Sequence, residues 1–221
     1  MTGSGAMMKS IDFHFDFISP YAYLAFEALP QTLAGIPCEV NYKPVLFAAL
    51  LRHHGQLGPA EIDGKREWTY RQVQWLAHVN GLRLDLPANH PFNPLALLRL
   101  VLATVAAGNP GRAACAAIFE HVWHGGEDAA DPQRIAELTR RLAPLRDPAG
   151  GEVKVELGSN TDAAIRLGIF GVPSLVVDGR QFWGFDSLPM LRDWLLDDPW
   201  FASGAWEAPA RIEVGAARKR Q

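Results

Sequence analysis

From Ser10 to Phe17 apolar and polar residues alternate as Ile11-Asp12-Phe13-His14-Phe15-Asp16-Phe17, which predicts a strand with one strongly apolar face. Ser19-Pro20 then reads as an N-cap followed by proline at the first helical position. The first helix is expected from Tyr21 to Leu33, with Gly35 placed to stop it, and Ile36 to Tyr42 suits a second strand closed by Lys43-Pro44. A β-α-β opening is the connection expected for a parallel pair.

From Val45 to about Gly168 the period changes to that of helices. Lys65 to Asn80 places Trp68, Val73, Trp75, Leu76 and Val79 at mixed three- and four-residue intervals. Pro94 to Ala107 is apolar nearly all round, the mark of a buried helix. Gly108-Asn109-Pro110 breaks that pattern before Gly111 to Trp123 resumes it, and Asp131-Pro132 repeats the cap-and-proline signal ahead of Ile135 to Leu142. Val153 to Leu157 alternates as a short strand would but is read as helix, and Thr161 to Leu167 as a helix ending at Gly168.

The last third returns to strands. Ser174 to Val177 and Gln181 to Trp183 flank Asp178-Gly179, a hairpin turn signal, and Asp186-Ser187 caps a final helix to about Leu196. The organisation is β-α-β, a long helical insertion, then β-β-α. The expected domains are residues 9–51 with 158–200, a helical insertion over 52–157, a disordered leader at 1–8 and a C-terminal tail at 201–221.

Composition excludes several classes of function. The 221 residues are 48% hydrophobic and 20% charged, ordinary for a globular chain and far from a disordered one. The net charge of −3 has no basic stripe, so nucleic acid is not expected as a partner; Arg218-Lys219-Arg220 reads as a solvated tail. No apolar run reaches the roughly eighteen residues of a membrane span, and the expected location is the cytoplasm. Cys38 and Cys115 have neither metal nor redox-pair spacing and read as small buried apolar residues.

Two places are suited to chemistry. Ser19-Pro20-Tyr21 lies where a parallel strand feeds a helix N-terminus, whose unpaired N–H groups and dipole favour an anion; a plain N-cap serine is the bland alternative. Gly168-Ile169-Phe170-Gly171-Val172-Pro173-Ser174 brings a proline to the first residues of a strand. If the Val172–Pro173 bond is cis, the turn is sharp and the Val172 backbone is left to pair with something else; an ordinary trans proline is the other reading.

Together these features suit a thioredoxin-like fold. Ile11 through Tyr21 resembles the opening of the 2-hydroxychromene-2-carboxylate isomerases, relatives of the kappa-class glutathione transferases and of DsbA-type oxidoreductases. Gly168 to Pro173, Trp183-Gly184-Phe185-Asp186 and His90-Pro91-Phe92-Asn93-Pro94 are similar to further signatures of that family, so the resemblance runs from about Ser10 to Leu196. It implies an α/β chain of thioredoxin-like fold with a large all-helical domain inserted between its halves. It implies glutathione as cofactor, Ser19 as the catalytic residue, and Val172, Phe185 and Asp186 as glutathione contacts. Gln56, where relatives often carry asparagine after the helix-ending glycine, is a further expected contact. Lys65 and His90 are expected to meet a substrate carboxylate, with a surface role as the alternative for each.

The reaction implied is glutathione-dependent cis–trans isomerisation of 2-hydroxychromene-2-carboxylate or a similar unsaturated aromatic keto acid, by reversible thiolate addition. A kappa-type transferase and a non-catalytic peptide-binding module are the alternatives. Ser19-Pro20-Tyr21-Ala22 contains no cysteine, which excludes dithiol oxidation at that position. The resemblance also makes a homodimer possible. No metal is expected: His121 and His124 are read as helix-surface residues, His53-His54 as an exposed helix end, and Trp68, Trp75, Trp123 and Trp183 as core, with Trp183 bordering the site.

Overall fold

A computed structural model describes residues 8–213 and 215. The elements follow the order β1 (Lys9–Phe15), α1 (Pro20–Thr32), β2 (Cys38–Pro44), α2 (Phe47–His54), α3 (Asp63–Val79), α4 (Leu95–Ala103), α5 (Arg112–Trp123), α6 (Pro132–Leu142), α7 (Gly151–Arg166), β3 (Ser174–Val177), β4 (Arg180–Trp183) and α8 (Leu188–Leu195). The four strands form one sheet in the order β2-β1-β3-β4. β1 and β2 are parallel, with Phe13 opposite Tyr42, whereas β3 is antiparallel to both β1 and β4.

Alternation in β1 does what the pattern predicts. Ile11, Phe13 and Phe15 are fully buried on one sheet face, each contributing about 2 kcal/mol of burial. Phe119 of α5 lies 5.4 Å from Phe15 and 4.8 Å from Phe17 between ring centroids, so the sheet and the inserted helices share a single core. The opposite face packs a smaller cluster of Val45, Leu50, Ala164, Ile169 and Val172. Asp178 (φ 50°) and Gly179 (φ 73°) make the tight turn between β3 and β4, matching the left-handed conformation such a turn demands.

Pro30 lies inside α1 and has no N–H to give the Phe26 carbonyl one turn earlier. Arg112 of α5 supplies the missing donor: its Nη1 lies 3.0 Å from the Phe26 oxygen, and its guanidinium stands 4.0 Å over the Phe26 ring. A proline that would otherwise orphan a carbonyl thus helps to dock one half of the chain on the other.

Several expectations change. Trp123 is buried, but Trp68 and Trp75 are each 61% exposed, because α3 turns Thr69, Val73 and Ala77 inward and leaves its tryptophans on the flank; Trp183, at the end of β4, is 53% exposed and lies against Gly171. Cys115 is buried as expected, while Cys38 is only half-buried. Val153 to Leu157 belongs to α7, a continuous helix through which the expected boundary between residues 157 and 158 passes. The stretch expected as a tail begins with buried Phe201, and Trp206 sits 5.5 Å from Phe182 of β4. The expected leader, apart from Met8, and the Arg218-Lys219-Arg220 cluster lie outside the described residues.

Candidate active site at the N-terminus of the first helix

The turn from β1 into α1 is built around Asp16. Its side chain is fully buried; Oδ1 accepts the Ile18 N–H at 3.2 Å and Oδ2 the Phe47 N–H at 2.9 Å, which ties α2 to the turn. The Asp16 carbonyl accepts the Ser19 N–H at 3.1 Å. Burial pushes the Asp16 carboxyl up to about 7, against the pull of the N–H donors of Phe47, Ile18 and Phe17. The helical part grips the same turn: Trp123 Nε1 donates to the Phe17 carbonyl at 3.1 Å and His90 Nε2 to the Ile18 carbonyl at 2.7 Å.

Ser19 emerges from this turn as the α1 N-cap, with extended backbone (φ −89°, ψ 116°) and Pro20 next in the chain. Its Oγ accepts the Ala22 N–H at 3.2 Å and faces the Val172 carbonyl oxygen at 3.4 Å, a long donor contact. The Val172–Pro173 peptide is cis. Among the described residues, nothing takes a hydrogen bond from the Val172 N–H. The Pro173 carbonyl accepts the Gly184 N–H at 3.0 Å, which draws Trp183 to Asp186 alongside.

Two glycines make this close approach possible. A Cβ on Gly171 would stand 2.6 Å from Trp183 Nε1, so the indole lies against the chain just before Val172. Gly184 has φ 94° and ψ 162°, a glycine-only conformation, and a Cβ there would stand 2.5 Å from Asp186 Oδ1. Asp186 is exposed, and with burial its carboxylate raises the Tyr21 phenol, whose hydroxyl donates to Gln72 Oε1 of α3 at 2.7 Å. Asp186 also lines an open cavity of about 380 Å³ with Asp193, Asp198 and Trp200; neither Ser19 nor Val172 reaches it.

The fold therefore gathers Ser19, Val172, Phe185 and Asp186 from opposite ends of the chain. Gln56, just past α2, and Lys65, in the first turn of α3, are exposed, and no hydrogen bond or ion pair joins either to Ser19 or Val172. His90 departs from its expected role as a carboxylate contact, because both ring nitrogens are engaged within the protein: Nε2 by Ile18 and Nδ1, at 2.8 Å, by the Tyr70 hydroxyl. His121 and His124, read as surface residues, instead meet the Ala129 carbonyl and the Tyr23 hydroxyl at 3.0 and 2.9 Å. His54, read as exposed, lies 3.1 Å from the Ile169 carbonyl. No cluster of metal-ligating side chains occurs among the described residues. Asp16, Tyr70 and Gln72 were not singled out by sequence; the one signal was a carboxylate placed between two phenylalanines, Phe15 and Phe17.

A peptide thiol suits these groups. The Val172 backbone offers an unused N–H to an extended peptide, Asp186 offers a carboxylate to an ammonium, and Ser19 offers a hydroxyl proton beside a helix N-terminus to a thiolate. The chain itself provides no thiol there: Cys115 is buried in α5, its thiol pushed far up by burial.

A strand, a capped helix and a cis-proline loop meeting at one serine define a protein of the thioredoxin class without a thiol at the helix N-terminus. The chain belongs to the DSBA-like thioredoxin domain family, whose model matches residues 10–196. It is 29% identical over 203 residues to a 2-hydroxychromene-2-carboxylate isomerase of Sphingobium xenophagum, covering 86% of this chain and 100% of the relative. It is 28% identical over 213 residues to glutathione S-transferase kappa 2 of Caenorhabditis elegans, covering 86% and 92%. Among solved structures, a 2-hydroxychromene-2-carboxylate isomerase superposes with a TM-score of 0.75 at 23% identity, covering 89% of this chain and 98% of the other. No helix among the described residues is long and apolar enough to cross a membrane.

Proposed function

We propose that the protein is a glutathione-dependent cis–trans isomerase acting on 2-hydroxychromene-2-carboxylate or a similar unsaturated aromatic keto acid. The observation that carries this reading is the Ser19 hydroxyl at a helix N-terminus, 3.4 Å from the carbonyl of the residue before a cis-proline, in a chain similar to such isomerases. In this reading Val172 pairs its backbone with the cysteinyl part of glutathione, and Phe185 and Asp186 hold the γ-glutamyl end. In the same reading Gln56 is a further glutathione contact and Lys65 meets the substrate carboxylate.

Bound glutathione supplies a thiolate whose reversible addition lowers the double bond to a single bond, about which rotation is free. The chain's own part is to make that thiolate available. A free thiol with a pKa of about 8.5 is mostly protonated at neutral pH. Ser19 turns its proton from the Val172 carbonyl, held only at 3.4 Å, toward the sulfur, and the α1 N-terminus favours the negative charge. Trp183, exposed against Gly171, forms an apolar wall beside the site. We place this reaction in the cytoplasm, where reduced thiols persist.

The test is isomerisation of 2-hydroxychromene-2-carboxylate by the purified protein with and without reduced glutathione. Turnover that requires catalytic glutathione and leaves it unconsumed supports the proposal. A conjugate accumulating with a simple electrophile, without isomerisation, favours the transferase reading that the kappa relatives suggest. Absence of glutathione binding removes both.

A further inference from the structure

The Ile18–Ser19 peptide, which aims the Ser19 side chain, is pinned on both faces: its carbonyl by His90 Nε2 at 2.7 Å and its N–H by the Asp16 carbonyl at 3.1 Å. A carbonyl oxygen only accepts, so His90 carries its proton on Nε2. Burial holds the ring neutral, which leaves Nδ1 a bare acceptor. The Tyr70 oxygen lies 2.8 Å from that nitrogen and 3.0 Å from the His90 carbonyl, so its single proton is shared between the two acceptors, an arrangement that fits the Nε2–H tautomer.

We propose that Tyr70 and His90 are a positioning pair, acting through the Ile18 carbonyl to aim the Ser19 hydroxyl at the glutathione sulfur. The pair crosses three segments, α3, the Pro91 loop and the β1–α1 turn. Its ring is braced by Trp123, 5.6 Å away between centroids, whose own indole N–H holds the preceding carbonyl of Phe17. Two adjacent carbonyls are thus held by two ring N–H donors of the helical insertion. A small rotation of the peptide between residues 18 and 19 would swing the Ser19 Cβ and lose the alignment that a reacting group requires. His90 and Tyr70 touch neither substrate nor sulfur in this arrangement; they act only through Ser19. The inference rests on the isomerase reading for what Ser19 faces, but the geometry of the pair is independent of it.

The test compares His90→Phe, which has no donor, with His90→Gln, whose amide N–H reaches toward Ile18, and with Tyr70→Phe. In the full chain without ligand, amide exchange is measured at Ser19 and Ala22, whose N–H groups bond to the turn, against Phe13 in the core of β1. An acceleration over wild type of about tenfold at Ser19 and Ala22, with little at Phe13, in His90→Phe, largely reversed in His90→Gln, is the expected result. Equal acceleration at all three sites reports only global destabilisation and overturns the proposal, as does no change. With glutathione bound, the ultraviolet thiolate absorbance is titrated with pH. The midpoint is expected to rise by about one pH unit in His90→Phe and by less in Tyr70→Phe. An unmoved midpoint overturns the aiming role. If wild-type protein binds no glutathione, the isomerase reading fails and the exchange measurement still decides whether the pair holds Ser19.

Discussion

The Ser19 hydroxyl stands 3.4 Å from the carbonyl oxygen of Val172, across 153 positions of sequence. This contact joins the cap of α1 to the cis-proline loop and leaves the hydroxyl proton weakly held.

Replacing Ser19 by Ala removes both the cap and the donor. On the proposed isomerase reading, turnover of 2-hydroxychromene-2-carboxylate is expected to fall on the order of a hundredfold. Stability is expected to fall by about 1 kcal/mol through loss of the bond to the Ala22 N–H. Denaturant unfolding and steady-state kinetics check the two effects separately, and near-normal turnover would remove Ser19 from the chemistry.

Gly184→Ala forces a Cβ to within 2.5 Å of Asp186 Oδ1 in a conformation that only glycine adopts comfortably. On the proposed glutathione reading, calorimetric titration should show glutathione affinity reduced about tenfold as Asp186 is displaced. Gly35→Ala is the control: its φ of +80° is also strained for alanine, yet nothing lies within 4 Å. It should lower stability and leave affinity unchanged; equal loss of affinity in both variants would refute the role given to the 184–186 turn.

Arg112→Leu strands the Phe26 carbonyl that Pro30 already deprives of its helical donor, at an expected cost of about 2 kcal/mol. Pro30→Ala restores an N–H in the helix, so the loss from Arg112→Leu should shrink in that background. Additive losses in a double-mutant cycle would show that Arg112 acts through other contacts.

Two buried groups on or beside β1 carry opposite pH linkages. Burial lowers His14 from 6.5 to about 4, and neither ring nitrogen finds a partner among the described residues. Burial raises Asp16 from 3.8 to about 7. Between pH 4 and 6.5 the unfolded chain binds the His14 proton and the folded chain the Asp16 proton, so the two slopes cancel. His14→Phe should therefore make stability fall, relative to wild type, as pH rises through this window. Asp16→Asn should make it rise. Urea unfolding across that range reads the slopes directly, and parallel curves for all three proteins would contradict the assignment.

The alternation of β1, the Ser19-Pro20 and Asp131-Pro132 caps and the Asp178-Gly179 turn were legible because each is decided within a few residues. The grouping of Ser19, Val172 and Asp186 was legible only through family resemblance, since no local rule links positions so far apart. Trp68 and Trp75 misled for the same reason. Periodicity marks a helix, but the side turned inward is chosen by what packs against it, and α3 buries Val73 and Ala77 instead.

His90 shows the division most clearly. Its side-chain chemistry allows a contact to a carboxylate or to a carbonyl, and only folding decided between them by delivering Ile18 to one nitrogen and Tyr70 to the other. The sequence by itself determined the main strands and helices, the Ser19 and Asp131 caps, the Asp178-Gly179 turn and the absence of cysteine from Ser19 to Ala22, because these depend on near neighbours and residue identity, whereas Ser187 makes no side-chain cap bond at the start of α8. Tertiary structure alone decided the burial of Asp16, the partner of the Phe26 carbonyl and the aim of Ser19, because hydrogen bonds and desolvation in a shared core depend on groups brought from distant parts of the chain.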